Sequence, residues 1–327
     1  MWKKIVGYTL LAVVVIVGGG FAYLYFRGPA SAPASSMKVA MTPERIARGK
    51  YMFHLADCDG CHSQHDDTKQ YWPVVESGRG RGNYFGDDGA VKMSIPNITP
   101  DPETGIGTWT DGEKIRAIRE GIHKDGSALF PMMPYQEYRH MADEDVEALV
   151  AYLNSLPPVR HESPRPTLAF PVNLLIKGSP RPVTEPVPAP DRANQLKYGE
   201  YLVTMGVCVV CHTPAERGSL DRTKLFAGGR RFDVLGKTVV TANITPHNGT
   251  GIGDWDLKRF LDRFGQHRVP VELLPAADRQ LFTIMPWREL ATLPDSDLEA
   301  IYVYLRAQRP VEHKVVTHPP LETAAAR

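Results

Sequence analysis

The chain lacks two features that would ordinarily classify it. It has no excess of charge of either sign: 38 Lys and Arg stand against 37 Asp and Glu, for a formal net charge of +1. A phosphate-binding surface normally shows as a large basic excess, so a nucleic-acid partner is excluded. Cysteine is scarce as well, at four in 327 residues. All four fall in two short strings, so no thiol is left over for a disulfide framework. The remaining composition, 43% hydrophobic and 23% charged, is ordinary for a globular protein. The length suits about two domains.

The two strings are Cys58-Asp59-Gly60-Cys61-His62 and Cys208-Val209-Val210-Cys211-His212. Two residues between the cysteines let both sulfurs meet one edge of a porphyrin, and the next imidazole then reaches its iron. Each string therefore predicts one covalently bound haem c, attached at Cys58 and Cys61 or at Cys208 and Cys211. His62 and His212 are the expected iron ligands. A four-cysteine zinc site or a pair of disulfides would have no use for a histidine directly after both pairs. With no fifth cysteine, a dihaem enzyme with a cysteine axial ligand is excluded too.

At the N-terminus, Ile5 to Phe26 is an uncharged run of 22 residues, preceded by Lys3 and Lys4 and closed by Arg27. At about 1.5 Å per residue it is long enough to cross the hydrocarbon core. The competing reading is a cleaved signal with Ala30-Ser31-Ala32 as its small-residue site. Its apolar core would have to exceed the usual roughly 7–15 residues. The run is read as an uncleaved anchor, residues 1–27, with Lys3 and Lys4 inside and the rest of the chain outside.

From Thr42 the sequence is written twice. Gly49-Lys50-Tyr51 answers Gly199-Glu200-Tyr201, and Asn97-Ile98-Thr99-Pro100 answers Asn243-Ile244-Thr245-Pro246. Gly105-Ile106-Gly107-Thr108-Trp109 answers Gly251-Ile252-Gly253-Asp254-Trp255, and the stretch Asp145 to Leu153 answers Asp297 to Leu305. The offset stays between 146 and 152, the sign of a domain duplication. The expected division is a tether over 28–41, a first domain over 42–160, a proline-rich linker over 161–192, a second domain over 193–312 and a tail over 313–327. Phe170, Leu174 and Ile176 are expected to pin the linker to the protein surface.

Each copy reads as mainly helical. Thr42 caps a helix that has Pro43 at its first position and a predicted inner face of Ala47, Tyr51 and Leu55. The closing helices show Val146, Leu149, Val150, Leu153 and Leu298, Ile301, Tyr302, Leu305, the stripe of a helix with one buried face.

What fills the sixth position of each iron decides its chemistry. Met133-Pro134 lies 71 residues after His62, and Met285-Pro286 lies 73 after His212. Both methionines recur in the repeat and precede proline, so Met133 and Met285 are the candidate second ligands, with Met132 adjacent and chemically able. Met52, Met93, Met141 and Met205 read as core filler. Asn97, Trp109, Asn243 and Trp255 have N–H groups suited to the haem propionates, aided by Arg79, Arg81, Arg230 and Arg231. A purely turn-and-packing role for these residues stands beside that reading. His123 and His267 read as a near-matching surface or propionate-side pair, and His54, His65 and His140 as solvated.

With the downstream Met-Pro loops, the chain resembles tandem class I c-type cytochrome domains. Its Asn-Ile-Thr-Pro and Gly-Ile-Gly-x-Trp blocks are similar to those of the cytochrome c subunits of bacterial membrane-bound alcohol and gluconate dehydrogenases. Those subunits usually carry three haems, against two motifs here. The resemblance covers residues 42–312. It implies an all-α fold of two haem domains; the N-terminal transmembrane helix is read from the uncharged run instead, since those subunits are not typically attached by such a span. The resemblance also implies maturation outside the cytoplasm, hence a place in the periplasm on the bacterial inner membrane. The implied function is relay of single electrons between a redox protein partner, such as a membrane-bound dehydrogenase or respiratory complex, and a downstream acceptor. A dihaem peroxidase is the rival, as is a structural subunit of a larger complex.

Overall fold

Helices carry the architecture, and the signals that place them are local. The protein is described by a computed structural model over residues 2–87, 91–216, 219–234 and 236–319. Helix α1 (Trp2–Phe26) has every described side chain exposed. Helix α2 (Pro43–Leu55) starts where Thr42 accepts a hydrogen bond from Arg45 N at 3.2 Å, with proline in its first turn. Its partner across the first half is α6 (Asp143–Ser155), and between them run α3 (Cys58–His62), α4 (Asp111–Glu120) and α5 (Tyr135–Tyr138). A capping box between Thr110 and Glu113 begins α4. After the connector, with its one-turn α7 (Val172–Leu175), the order repeats as α8 (Gln195–Met205), α9 (Cys208–His212) and α10 (Leu257–Gly265). It closes with α11 (Ala276–Arg279), α12 (Trp287–Leu290) and α13 (Asp295–Arg306).

Both halves rest on one close helix crossing. A Cβ added to Gly49 would lie 1.9 Å from Ala148 O, and one added to Gly199 would lie 2.0 Å from Ala300 O. Only glycine lets α2 meet α6, and α8 meet α13, at this distance. The buried face of α2 therefore runs through Gly49, Met52, Phe53 and Leu55, while Ala47 is exposed and Tyr51 half-buried. That corrects the predicted Ala47–Tyr51–Leu55 face. The closing helices bury Val146, Leu149, Val150 and Leu153, and Leu298, Ile301 and Leu305, with Tyr302 only half-buried. Met52, Met141 and Met205 are fully buried core residues.

Short strands accompany the expected helices. The segments after each haem string fold into small antiparallel sheets. β1 (Asn83–Asp87), β2 (Val91–Ile95) and β3 (Thr167–Leu168) form one; β4 (Ala215–Glu216) pairs β5 (Ser219–Leu220), and β6 (Arg231–Val234) pairs β7 (Lys237–Val240). These stretches are short, extended and rich in β-branched and aromatic residues, a composition helices disfavour. The protein is thus mostly helical with satellite hairpins.

The tether over 28–41 does not hang free. Val39 is buried and its N–H donates to Asp111 Oδ2 at 2.9 Å, while Arg116 reaches Ala32 O at 3.3 Å. The linker is fastened at Leu174, which is buried, and through Val187 O and Asp143 N at 2.9 Å. Phe170, expected to pin it, is exposed. Residues 320–327 of the tail lie outside the described residues.

The halves meet through a reciprocal contact. Tyr51 OH of the first half donates to Asp297 Oδ2 of the second at 2.6 Å, and Tyr201 OH of the second donates to Asp145 Oδ2 of the first at 2.5 Å. Tyr51 and Tyr201 are repeat equivalents, as are Asp145 and Asp297. Residue i meets j while j meets i, the pattern of a two-fold interface. Burial pushes both phenols well above their ordinary range, so they remain protonated donors.

Candidate functional site

Each haem string is a single helical turn entered through a left-handed residue, Asp57 at φ 50° and Val207 at φ 47°. A side chain there costs about 1 kcal/mol or more, so its recurrence marks a bend that both cradles need. In the first half Asp57 also accepts from Gly60 N at 3.2 Å, offsetting part of that cost.

The histidines are oriented from behind. His62 Nδ1 lies 2.9 Å from Pro96 O, and His212 Nδ1 lies 2.8 Å from Ala242 O. A carbonyl can only accept, so Nδ1 carries the proton and Nε2 keeps its lone pair. Burial lowers the pKa of both rings, favouring the neutral form that binds a metal. The backbone holds each histidine as well: Gly82 N and Gly228 N donate to His62 O and His212 O, both at 2.7 Å.

Pro96 and Ala242 immediately precede the repeated asparagines, which explains the repeat. Asn97 Nδ2 donates to Val159 O at 2.7 Å and Thr104 Oγ1 at 3.0 Å, and its Oδ1 accepts from Thr99 N and Thr99 Oγ1. Asn243 makes the same set with Val311 O at 2.9 Å, Thr250 Oγ1 at 3.3 Å and Thr245. For Asn97 and Asn243 these bonds match the turn-and-packing role that stood beside the propionate reading. Their amide hydrogens are committed to fastening the loop whose preceding carbonyl receives the imidazole proton. Arg79 and Arg230 also brace the haem strings. Arg79 Nε donates to Asp59 at 3.1 Å, and Arg230 NH1 donates to Val210 O at 2.5 Å. Trp109 and Trp255 are half-buried against the core; Trp109 meets His123 edge-on at 4.7 Å, and Arg259 lies over Trp255 at 4.7 Å.

The methionine loops match in the two halves. Met133 O accepts from Tyr135 N and Met285 O from Trp287 N, both at 2.8 Å, and both side chains pack against the core. Met132 is 37% exposed. In the second half a cavity of about 320 Å³ is lined by Cys208, Cys211, His212, Trp255 and Met285. The Cys208 and Cys211 sulfurs, the His212 imidazole and the Met285 thioether thus share one apolar cavity, and that donor set fits haem c. A second cavity, of about 540 Å³, lies between the halves and is lined by Cys61, Cys211 and Met132 among others, with neither proximal histidine.

Tyr71 is a site residue that sequence reasoning missed. It belongs to the first half, yet it lines the cavity of the second. Its OH lies 2.9 Å from His267 Nδ1, and His267 stacks on Trp287 with centroids 5.0 Å apart at 15°. His267 is thus buried, correcting its surface reading, and its structural counterpart is Gly121 rather than His123. Each lies 11 positions after its helix cap, Thr110 or Asp256. His54 is also buried, with Nδ1 3.2 Å from Thr292 Oγ1 of the other half. His65 stacks on Trp72 at 4.0 Å, whereas His140 is exposed as expected.

Sequence comparison places the chain among known proteins. The cytochrome c family pattern matches residues 46–157. A diheme cytochrome c-type protein of Cereibacter sphaeroides is 30% identical over 312 residues, 92% of this chain and 97% of that protein. The chain belongs to the dihaem c-type cytochromes. It accordingly carries two covalently bound haem c groups, at Cys58/Cys61 and Cys208/Cys211. A nicotinate dehydrogenase subunit of Pseudomonas putida is 33% identical over 80% of this dihaem cytochrome. The cytochrome c subunit of the alcohol dehydrogenase (quinone) of Gluconacetobacter polyoxogenes is 30% identical over 84% of it. The chain spans 21% of the first of these two proteins and 58% of the second.

Proposed function

We propose that this dihaem cytochrome is a membrane-anchored electron carrier whose halves, 42–160 and 193–312, are tandem class I domains. Haem c supplies a one-electron ferric–ferrous couple when bound. The observation that carries the proposal is the duplicated cradle. In each half a carbonyl holds the histidine Nδ1–H, leaving Nε2 free as a ligand, while a core-packed methionine stands in the repeated Met-Pro loop. His62 with Met133 and His212 with Met285 then serve as axial pairs. The match of Met133 to Met285 in the repeated loop supports Met133 over Met132. Two protein ligands per iron leave no open position for peroxide chemistry and favour the ferrous state.

The cavity between the halves reaches a thioether cysteine from each string, which supports direct transfer from one half to the other. The relatives named as dehydrogenase subunits support a dehydrogenase or respiratory complex as partner. The uncharged span of α1 supports a place on the periplasmic face of the inner membrane, with Lys3 and Lys4 inside.

The ligand test is the thioether–ferric charge-transfer band of the oxidised protein. Met133→Ala and Met285→Ala are each expected to remove about half of it and to lower one of two potentials. A substitution that leaves band and potentials unchanged refutes that ligand. Rapid turnover of hydrogen peroxide by reduced protein would overturn the carrier reading. Gentle detergent extraction is expected to bring down a dehydrogenase or respiratory subunit with the cytochrome.

A further inference from the structure

We infer that the proline-rich connector inserts a hydrophobic wedge, Phe170 and Leu175, among the acyl chains of the outer leaflet beside α1. The first haem half is thereby seated on the membrane at a second point. The inference rests on the reading of α1 as a membrane span.

Single exposed apolar side chains are common. What sets these two apart is their position. Phe170 is 67% and Leu175 65% exposed, and the Phe170 ring lies 6.1 Å from that of Phe21, tilted by 59°. Phe21 is six residues before Arg27, about 9 Å back along the helix from the first charge outside the span. Whatever surrounds Phe21 at that depth therefore also surrounds Phe170. Lys177 marks the level above. Its Nζ donates to Tyr25 O at 2.8 Å, one of the carbonyls left free at a helix end, and lies 5.9 Å from the Tyr25 ring centroid. Tyr23, Tyr25 and Phe26 are all exposed there, as an aromatic belt at the headgroup level would be. A lysine at this height keeps its ammonium among headgroups while its neighbours reach deeper.

The wedge is coupled to the protein behind it. Leu174, between the two exposed residues in sequence, is buried. Leu174 N and Leu175 N both donate to Pro171 O, at 3.0 and 3.1 Å. Just upstream, Thr167 and Leu168 pair with Lys92 and Val91 of β2 in the first half. Depth at Phe170 thus fixes the height of the first haem domain above the bilayer.

All four native cysteines are consumed by haem, so a cysteine introduced into the haem-loaded full chain is its one free thiol. Nitroxide labels at Phe21→Cys, Phe170→Cys, Leu175→Cys and Val316→Cys are to be compared in phosphatidylcholine/phosphatidylglycerol vesicles. Their accessibility to dissolved oxygen and to a water-soluble nickel chelate gives a depth for each. The oxygen-to-nickel ratio at 170 and 175 is expected to approach that at 21 and to exceed that at 316 by at least fivefold. A lipid-like ratio at 21 with a water-like ratio at 170 and 175 overturns the wedge and leaves the anchor standing. A water-like ratio at 21 overturns both.

Discussion

The two halves of the molecule agree on one side of the haem site and diverge on the other. Behind each proximal histidine the contacts coincide: the left-handed entry residue, the imidazole-to-carbonyl bond near 2.9 Å, the glycine on the histidine carbonyl and the asparagine that fastens the loop. Most of these involve backbone atoms, which substitution cannot easily move. On the methionine side each half has grown differently. From Ser63 to Gly80 the first half takes 17 steps where Thr213 to Phe226 takes 13, and the longer loop carries Tyr71 and Trp72 into the second half. From helix cap to methionine the second half takes 29 steps where the first takes 23, and the excess includes α11 and the buried Leu274. Duplication kept the geometry that aims the histidine and left the opposite wall free to make two unequal sites.

The sharpest test of the likeness is the helix crossing. Gly49→Val and Gly199→Val each drive a side chain into a backbone carbonyl 1.9–2.0 Å from the Cβ position, so the helices must part. Each is expected to cost at least about 3 kcal/mol and to halve the haem bound per chain. Tolerance of one substitution but not the other would break the equivalence of the crossings. The interface offers a smaller, unequal pair. Asp145 accepts two bonds from Arg48, at 2.6 and 2.8 Å, besides that from Tyr201, whereas Asp297 accepts from Tyr51. Asp145→Ala strands a half-buried guanidinium and is expected to cost roughly 3–5 kcal/mol, against about 1–2 kcal/mol for Asp297→Ala. Urea midpoints decide the order; equal losses would mean that Arg48 adds nothing.

A titration separates the halves further. His54 is buried, and burial together with Arg79 pushes its pKa down to about 4, while its repeat counterpart is the half-buried Thr204. Between the ordinary histidine value near 6.5 and about 4, the unfolded chain takes up a proton that the folded chain refuses. Stability is therefore lost as pH falls through that window. His54→Thr, which installs the second half's residue, is expected to flatten this loss by roughly 1–3 kcal/mol at pH 4. Melting curves of the two proteins that stay parallel from pH 7 to 4 would place the acid sensitivity elsewhere.

Much of the histidine side was legible in the sequence, because the haem strings, the Asn-Ile-Thr-Pro block and the Met-Pro loops all recur. Recurrence pointed to the right residues but not always to their work. Asn97 read equally as a propionate donor or a turn residue, and only the positions of Val159 O and Thr104 reveal how it fastens the loop. His54 read as solvated and His267 as surface or propionate-side because each meets the opposite half, through Thr292 and Tyr71, and no local pattern announces a contact more than 190 residues away. The one available signal for Tyr71 was an adjacent tyrosine and tryptophan inside an otherwise polar loop. The hairpins were missed because their residues lie between strong helical signals, in runs of four or five.

The smallest predicted effect bears most directly on the inequality of the two sites. Tyr71→Phe keeps the ring against His267 and deletes only the 2.9 Å hydrogen bond. His267 is stacked on Trp287, two residues beyond Met285, so the change reaches the methionine loop of the second half and nothing equivalent in the first, where Gly121 faces Tyr135. A neutral hydrogen bond contributes about 0.5–1 kcal/mol. Felt in only one oxidation state, that converts to about 20–40 mV in a one-electron potential. One of the two potentials is expected to move by that amount while the other holds, and the charge-transfer band is expected to weaken by no more than half. If both potentials move together, Tyr71 acts through the interface as a whole, and the second site owes nothing particular to the loop that crosses into it.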